Sequence, residues 1–391
     1  MLVKDKNYYF QKNILKNIIR NELNTKYLGK DSKNEEYYLK KNKLLIDESF
    51  IFKLIKENKL IPFISENLFI KKHLRNLYFQ VKDKAKVEFL KSIRLSLLTS
   101  EVSNFLRKKG INHLIIKGIG LSQIIYNDIS KRGGGDLDIL IKEDELIKVI
   151  KILENLGFYP IKNSFPLLKD SLSFSYSKWV YYEVSLVRKR ERYYEFIDLH
   201  WRINNNTSGI PTFSELWTYK ELFILNDSPI YIPNLEHNLI IIAANAAKDK
   251  WIYYRNLIDF NLLIHNKKFI YVDKNIKKKF FNMSLYRTYQ LTKYQILPFK
   301  TKFTINQFFV NYINKIYFQL SQNKSTRKNK LFVRIFLFFY KIYLCENIND
   351  LAANICINIV TPKSIAENSS NGYKNPTYIL VNRFKSFINL F

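Results

Sequence analysis

The hydrophobic pattern of this 391-residue chain changes period at Gly110, and no other feature limits the possible folds as much. Upstream, apolar residues recur at the 3.6-residue period of an α-helix: Phe50, Ile51, Leu54 and Ile55, then Val87, Leu90, Ile93, Leu97 and Leu98, then Val102, Phe105 and Leu106. The later residues belong to one long amphipathic helix over 84–109. It is expected to pack its apolar stripe on a neighbour and to stop at Gly110, a residue suited to the left-handed position after a helix. Downstream the pieces are short. Ile111 to Ile116 reads as a buried strand, Gly120 to Asp128 as a helix with Leu121, Ile124 and Ile125 inward, and Asp136 to Ile141 as a second strand. Residues 143–156 read as a helix ended by Gly157. Short strands alternating with short helices imply an α/β or α+β core. The fold class expected is α+β, a small mixed sheet with flanking helices, preceded and followed by helical regions.

The remaining segments fill in that frame. Residues 1–43 show weak periodicity and suggest one or two short helices. Trp179 to Val187 and Glu195 to Ile203 alternate as two strands of a hairpin around the charged turn Arg188 to Arg192. Thr218 to Ile232 is mixed, Leu235 to Asn266 is helical, and residues 275–350 form a further helical, Lys- and aromatic-rich region. Residues 360–375 look like a loop before a short basic tail helix. A chain this long exceeds a single hydrophobic core. The expected division is a helical region over 1–109, an α/β core over 110–234 and a helical region over 235–391.

Composition narrows the class. With 47% hydrophobic and 16% aromatic residues the chain can bury a core, which excludes disorder despite a net charge of +30. Cys345 and Cys356 are too few for a disulfide framework or a cysteine-based zinc site. The opening residues lack the apolar stretch of a secretory signal. The run from Leu331 to Cys345 is broken by Arg334 and Lys341 and is too short for a membrane span. The expectation is a soluble cytoplasmic protein, with peripheral contact to the inner membrane as an option. Lys, Asn, Ile, Tyr and Phe recur throughout, as in a chain encoded by an AT-rich genome, so part of the charge is compositional. The charge still attracts polyanions, and nucleic acid or an anionic membrane surface is a candidate partner.

The sharpest chemical signal is Gly133-Gly134-Gly135-Asp136-Leu137-Asp138. Residues i and i+2 of a strand share a face, so Asp136 and Asp138 present two carboxylates side by side. Such a pair is costly without a cation between them, and its hard oxygens suit Mg²⁺ or Mn²⁺. The glycines allow a bulky ligand to approach the backbone. Further on, Asp198, His200 and Arg202 alternate with Leu199, Trp201 and Ile203, which supplies a third carboxylate on one strand face. Three carboxylates on adjacent strands are what two-metal phosphoryl or nucleotidyl transfer uses, one ion at the attacking oxygen and one at the departing pyrophosphate. Lys117, at the end of the first strand, and Arg132, in the glycine loop, are cations that could reach triphosphate oxygens.

Taken in order, Ile115-Ile116-Lys117-Gly118, Leu121, Tyr126, Arg132, Asp136-Leu137-Asp138-Ile139-Leu140-Ile141 and Asp198-Leu199-His200-Trp201-Arg202 resemble the uncharacterised bacterial nucleotidyltransferase-like family, part of the DNA polymerase β-type nucleotidyltransferase superfamily. Trp251, Arg255 and Asp259 follow at the family's downstream helix, with Asn245 where the family often has His. The usual Gly-Ser pair after the first strand is here Lys117-Gly118-Ile119. The resemblance implies a nucleotidyltransferase-type sheet and Asp136, Asp138 and Asp198 as catalytic metal ligands. It also implies a nucleotide site drawing on Lys117, Gly118, Arg132 and His200. Mg²⁺ or Mn²⁺ would be the cofactor, an NTP the co-substrate, and an unidentified hydroxyl or amine the acceptor. Two other readings stand beside it: a non-catalytic nucleotide- or RNA-binding protein, and a peripheral accessory protein of polysaccharide or peptide modification.

Overall fold

The computed structural model describes residues 2–161, 174–175, 178–179, 181–204, 209–266, 279–292, 340, 342–345 and 348–359. The helices are α1 (Leu2–Glu22), α2 (Lys33–Lys41), α3 (Glu48–Glu57), α4 (Ile61–Ile64), α5 (Leu68–His73), α6 (Arg75–Lys108), α7 (Gly118–Tyr126) and α8 (Leu146–Glu154). They continue with α9 (Phe213–Thr218), α10 (Leu235–Lys248), α11 (Tyr254–Ile264), α12 (Lys279–Thr292) and α13 (Ile348–Ile359). The strands are β1 (His113–Ile115), β2 (Leu137–Ile141), β3 (Tyr159–Pro160), β4 (Glu183–Lys189), β5 (Tyr194–His200), β6 (Glu221–Leu225) and β7 (Ser228–Ile232). The fold is mixed α+β. Most of the Leu331–Cys345 run and the whole tail from residue 360 lie outside the described residues.

Two compact units form, and neither is continuous in sequence. The first takes Met1–Leu97, Lys117–Gly134 and Leu235–Ser321; the second takes Leu98–Ile116, Gly135–Asn234 and Gln322–Phe391.

The first unit is helical. In place of one or two short helices, α1 runs for 21 residues and is continued by a π-helical turn to Leu28. Ile14, Leu15, Ile18 and Ile19 are fully buried on its inner face and recur with helical spacing, so packing rather than propensity sustains its length. Asp47 and Asn67 start α3 and α5 by accepting the amides of Phe50 (2.9 Å) and Ile70 (3.0 Å). The helical segment 235–266 divides into α10 and α11 at Lys250 and Trp251, both with positive φ. Trp251 is buried there, with its indole N–H on Ser284 Oγ at 2.9 Å.

α6 bears out the expected packing face in its C-terminal half and corrects it in the N-terminal half. Leu95, Leu98, Val102 and Leu106 are buried, whereas Val87, Leu90, Ile93 and Leu97 are exposed. The helix carries apolar residues on two sides, and a 3.6-residue period does not say which side is covered.

The second unit is built on a five-stranded sheet of order β1-β2-β5-β4-β3. β2 and β5 are parallel, and the other neighbours are antiparallel. Leu137, Ile139, Ile141, Ile197, Leu199, Val184 and Leu186 lie on one face and are buried. α8 buries Leu146, Val149, Ile150 and Leu153, spaced as one helical stripe. The stretch read as mixed contains a second small sheet, the β6–β7 hairpin, closed by Asn226 and Asp227 at φ 46° and 59°. Asn and Asp tolerate that left-handed turn, but without glycine its sequence signal is weak.

Candidate active site

The opposite face of the second unit's sheet carries the charged residues. Register alone brings them together: Asp138 on β2 sits opposite Asp198 on β5, while Ser185 and Glu183 on β4 sit opposite Asp198 and His200. Asp136 shares Asp138's face, two residues earlier. Asp136, Asp138 and Glu183 therefore all act on Asp198, and Asp138 and Glu183 flank the His200 imidazole.

Their electrostatics follow from burial. Asp198 is pushed up to about 7, first because burial disfavours its charge and then because Asp138, Asp136 and Glu183 repel it. The Ser185 hydroxyl donates to Asp198 Oδ1 at 2.5 Å and opposes that shift. His200 is fully buried, with Nε2 3.0 Å from Asp138 Oδ1 and Nδ1 3.2 Å from Glu183 Oε2. The Tyr182 ring stacks on the imidazole at 6.0 Å between centroids and 22° between planes. Asp136 is exposed, with the Gly135 amide 3.4 Å from its Oδ1.

Arg202 departs from its expected place on this face. β5 ends at His200, and the guanidinium donates through Nη2 to the carbonyls of Lys178 (2.8 Å), Trp179 (2.7 Å) and Tyr181 (2.5 Å).

Among the described residues no group of three or more His, Cys, Asp or Glu side chains is set, as it stands, to hold a metal ion. The donor chemistry nevertheless fits a small divalent cation, which commonly takes one or two carboxylates and completes its shell with water and substrate phosphates. Asp138 and Asp198, paired in register with mutual repulsion, are the residues suited to hold it, with Asp136 beside them.

Lys117, Gly118 and Arg132 belong to the first unit. Lys117 has φ 58° and ψ −143°, a region normally left to glycine, and Gly118 follows at φ 40°. A lysine held there stores strain of about 1–3 kcal/mol. It stands at the N-terminus of α7, and its own side chain makes no capping hydrogen bond there. Arg132 is nearly buried, and its Nε lies 2.8 Å from Oδ2 of the fully buried Asp259. Tyr126 OH donates to Asp259 Oδ1 at 2.6 Å, and the Arg132 amide donates to Ser122 Oγ at 3.1 Å. Arg255, one turn before Asp259, reaches the carbonyls of Arg132 and Gly133 at 3.4 and 3.5 Å. Arg255 and Asp259 of the downstream helix thus hold the base of the glycine loop.

Sequence reasoning missed Glu183, Ser185 and this use of Asp259. Only strand pairing could have placed the first two, and no local motif marks them.

Residues 45–283 match the model of a family described as uncharacterised nucleotidyltransferase. Among solved structures, an antigenic nucleotidyltransferase-like protein from Paracoccidioides brasiliensis is similar at 12% identity and a TM-score of 0.34, over 50% of this chain and 87% of that one. No curated protein matches significantly. Because the family match spans more than half of the 391 residues, the chain belongs to the uncharacterised nucleotidyltransferase family.

Proposed function

We propose that the chain transfers a nucleoside monophosphate from an NTP to an acceptor hydroxyl or amine, at the carboxylate face of the second unit's sheet. The observation that carries this reading is the register pairing of Asp138 with Asp198, beside Asp136, where burial first and then the neighbouring acids push Asp198 up to about 7. A cluster of that kind is costly to keep in a fold unless a cation uses it. A bound Mg²⁺ or Mn²⁺ would offset charge developing on the phosphates and the leaving pyrophosphate. In the transfer the acceptor atom bonds to the α-phosphorus, the bond to the bridging oxygen breaks, and pyrophosphate departs with the electron pair.

The chain's own residues do the rest. Asp136, Asp138 and Asp198 hold the cation. Asp198, steadied by the Ser185 hydroxyl, stands beside Asp138 on this face and is the group placed to take the acceptor's proton. His200 acts as a positioning residue: its Nε2 contact fixes one oxygen of Asp138, and Glu183 backs the ring from the other side. Arg132, committed to Asp259 through Nε, steadies the glycine loop.

Calorimetric titration of the four NTPs with and without Mg²⁺ tests the reading, on wild type and on Asp136→Asn/Asp138→Asn. The expected result is saturable, Mg²⁺-dependent binding that the double substitution removes. Binding of NTP that ignores both metal and substitution would favour a non-catalytic nucleotide binder, and absence of binding would remove the reading.

A further inference from the structure

The first unit carries a cavity of about 480 Å³ whose lining divides by chemistry. Lys82, Lys86, Lys131, Ser65 and Ser130 give it cationic and hydroxyl groups, and Pro62, Ala85, Phe89 and Leu90 give it apolar surface. The acids at its edge are already engaged. Glu66 is bound by Lys26 at 2.9 Å and Lys131 at 3.2 Å, and these lysines draw it down to about 2. Asp128 accepts the Ser130 amide at 2.8 Å and its hydroxyl at 2.7 Å. Lys82 and Lys86 stand one turn apart on α6, so one anionic group can reach both. Lys86 also meets Asp83 at 3.2 Å on the exposed surface, a contact a stronger anion can displace.

The apolar surface does not end at the cavity. Along the same face of α6, Phe89 and Leu90 lead to Ile93 and Leu97, which are 49%, 56%, 37% and 58% exposed. From Lys86 to Leu97 this face extends roughly 16 Å along the helix axis. A polar, cationic end joined to an exposed aliphatic track is complementary to a molecule with an anionic head and a long apolar tail. A polynucleotide would call for aromatic stacking platforms along the track, and beyond Phe89 it is aliphatic.

We propose that this cavity and the exposed face of α6 form a binding site for an anionic amphiphile, the head held by Lys82 and Lys86 and the tail laid over Leu90, Ile93 and Leu97. Pro62 ties the site to the glycine loop, since a Cβ at Gly133 would come 3.3 Å from Pro62 Cγ. The site stands independently of the nucleotidyl-transfer reading, and its test uses no nucleotide.

The experiment is titration of the full chain with dodecyl phosphate below its micelle concentration, against inorganic phosphate, dodecyl maltoside, a short single-stranded RNA and anionic vesicles. Dodecyl phosphate is expected to bind saturably, with inorganic phosphate and the uncharged detergent at least about tenfold weaker. Lys82→Glu/Lys86→Glu and Leu90→Asn/Ile93→Asn should each weaken it by about tenfold. Because Lys86, Leu90 and Ile93 are exposed and Lys82 is half-buried, melting temperatures should hold, and Ala85→Trp should block the cavity without touching charge. Equal binding of charged and uncharged detergent would overturn the proposal. So would indifference to all three variants, or binding of RNA or vesicles without dodecyl phosphate.

Discussion

The two ends of the β4–β5 strand pair carry similar numbers of charged groups and treat them in opposite ways. At the turn end, Arg188 grips Glu101 through both Nη atoms at 2.8 and 2.7 Å and Glu195 through Nε at 2.7 Å, and Arg190 adds 3.0 and 3.3 Å contacts to the same acids. Two cations meet two anions, the Phe158 ring lies 4.3 Å under the guanidinium, and Glu101 is held below the usual carboxylate range by Arg188. At the other end, Asp138 and Glu183 flank His200, and Asp198 is pushed upward, first by burial and then by Asp138, Asp136 and Glu183. A fold that can balance charge at one end of a hairpin and leaves it unbalanced at the other is spending stability there. The balanced end reads as structure and the unbalanced end as a site.

The largest effect should come from breaking the balanced end. Arg188→Ala leaves Glu195 with little exposure and one remaining partner, and denaturant unfolding should show a loss of about 3–5 kcal/mol. A loss under about 1 kcal/mol would mean that this end is not the pin it looks like. His200→Ala sharpens the other side: Mn²⁺ affinity should fall by about 10–100-fold, with partial recovery in His200→Gln. Unchanged affinity would reduce the histidine to packing.

Asp198→Asn should go the other way and stabilise the protein at pH 8 by about 1–2 kcal/mol, because it removes a buried, repelled charge. The native state holds the Asp198 proton more tightly than the unfolded chain does. Its contribution is therefore full below about pH 4 and is lost as pH rises through about 7. Wild-type stability should decline across that window, and Asp198→Asn should flatten the decline. A variant less stable than wild type at pH 8 would contradict the repulsion. The smallest effect is expected at Glu183→Gln, a few tenths of a kcal/mol in stability at pH 8, seen as a small rise in melting temperature.

Much of the site was legible before any coordinates, because Asp136 and Asp138 share a strand face by the period of two. Asp198 stood out because it begins a clean alternation with Leu199 and Trp201. Glu183 and Ser185 were not legible for a reason of register. Pairing the expected strands 179–187 and 195–203 end to end sets Val187 opposite Glu195, and hence Val184 opposite Asp198. The observed turn runs from Arg190 to Tyr193, with Arg190 N–H on the Tyr193 carbonyl at 2.8 Å, and Val187 pairs with Phe196. That single-residue slip exchanges the faces of β4 and turns Glu183 and Ser185 toward the acids. On α6 the expected stripe is covered at Leu98, Val102 and Leu106 and exposed at Val87, Leu90, Ile93 and Leu97, since a helix with two apolar sides gives the same period whichever side is covered.

The central claim is that the unbalanced end is a cation site. Titration of Mn²⁺ into the full chain, followed by the loss of the free-ion electron paramagnetic resonance signal, tests it most directly, with a nonhydrolysable NTP analogue present. The account predicts saturable Mn²⁺ binding in wild type that disappears in Asp138→Asn/Asp198→Asn while the variant stays folded. Equal binding by wild type and variant, or no saturable binding to the folded wild type, would contradict it.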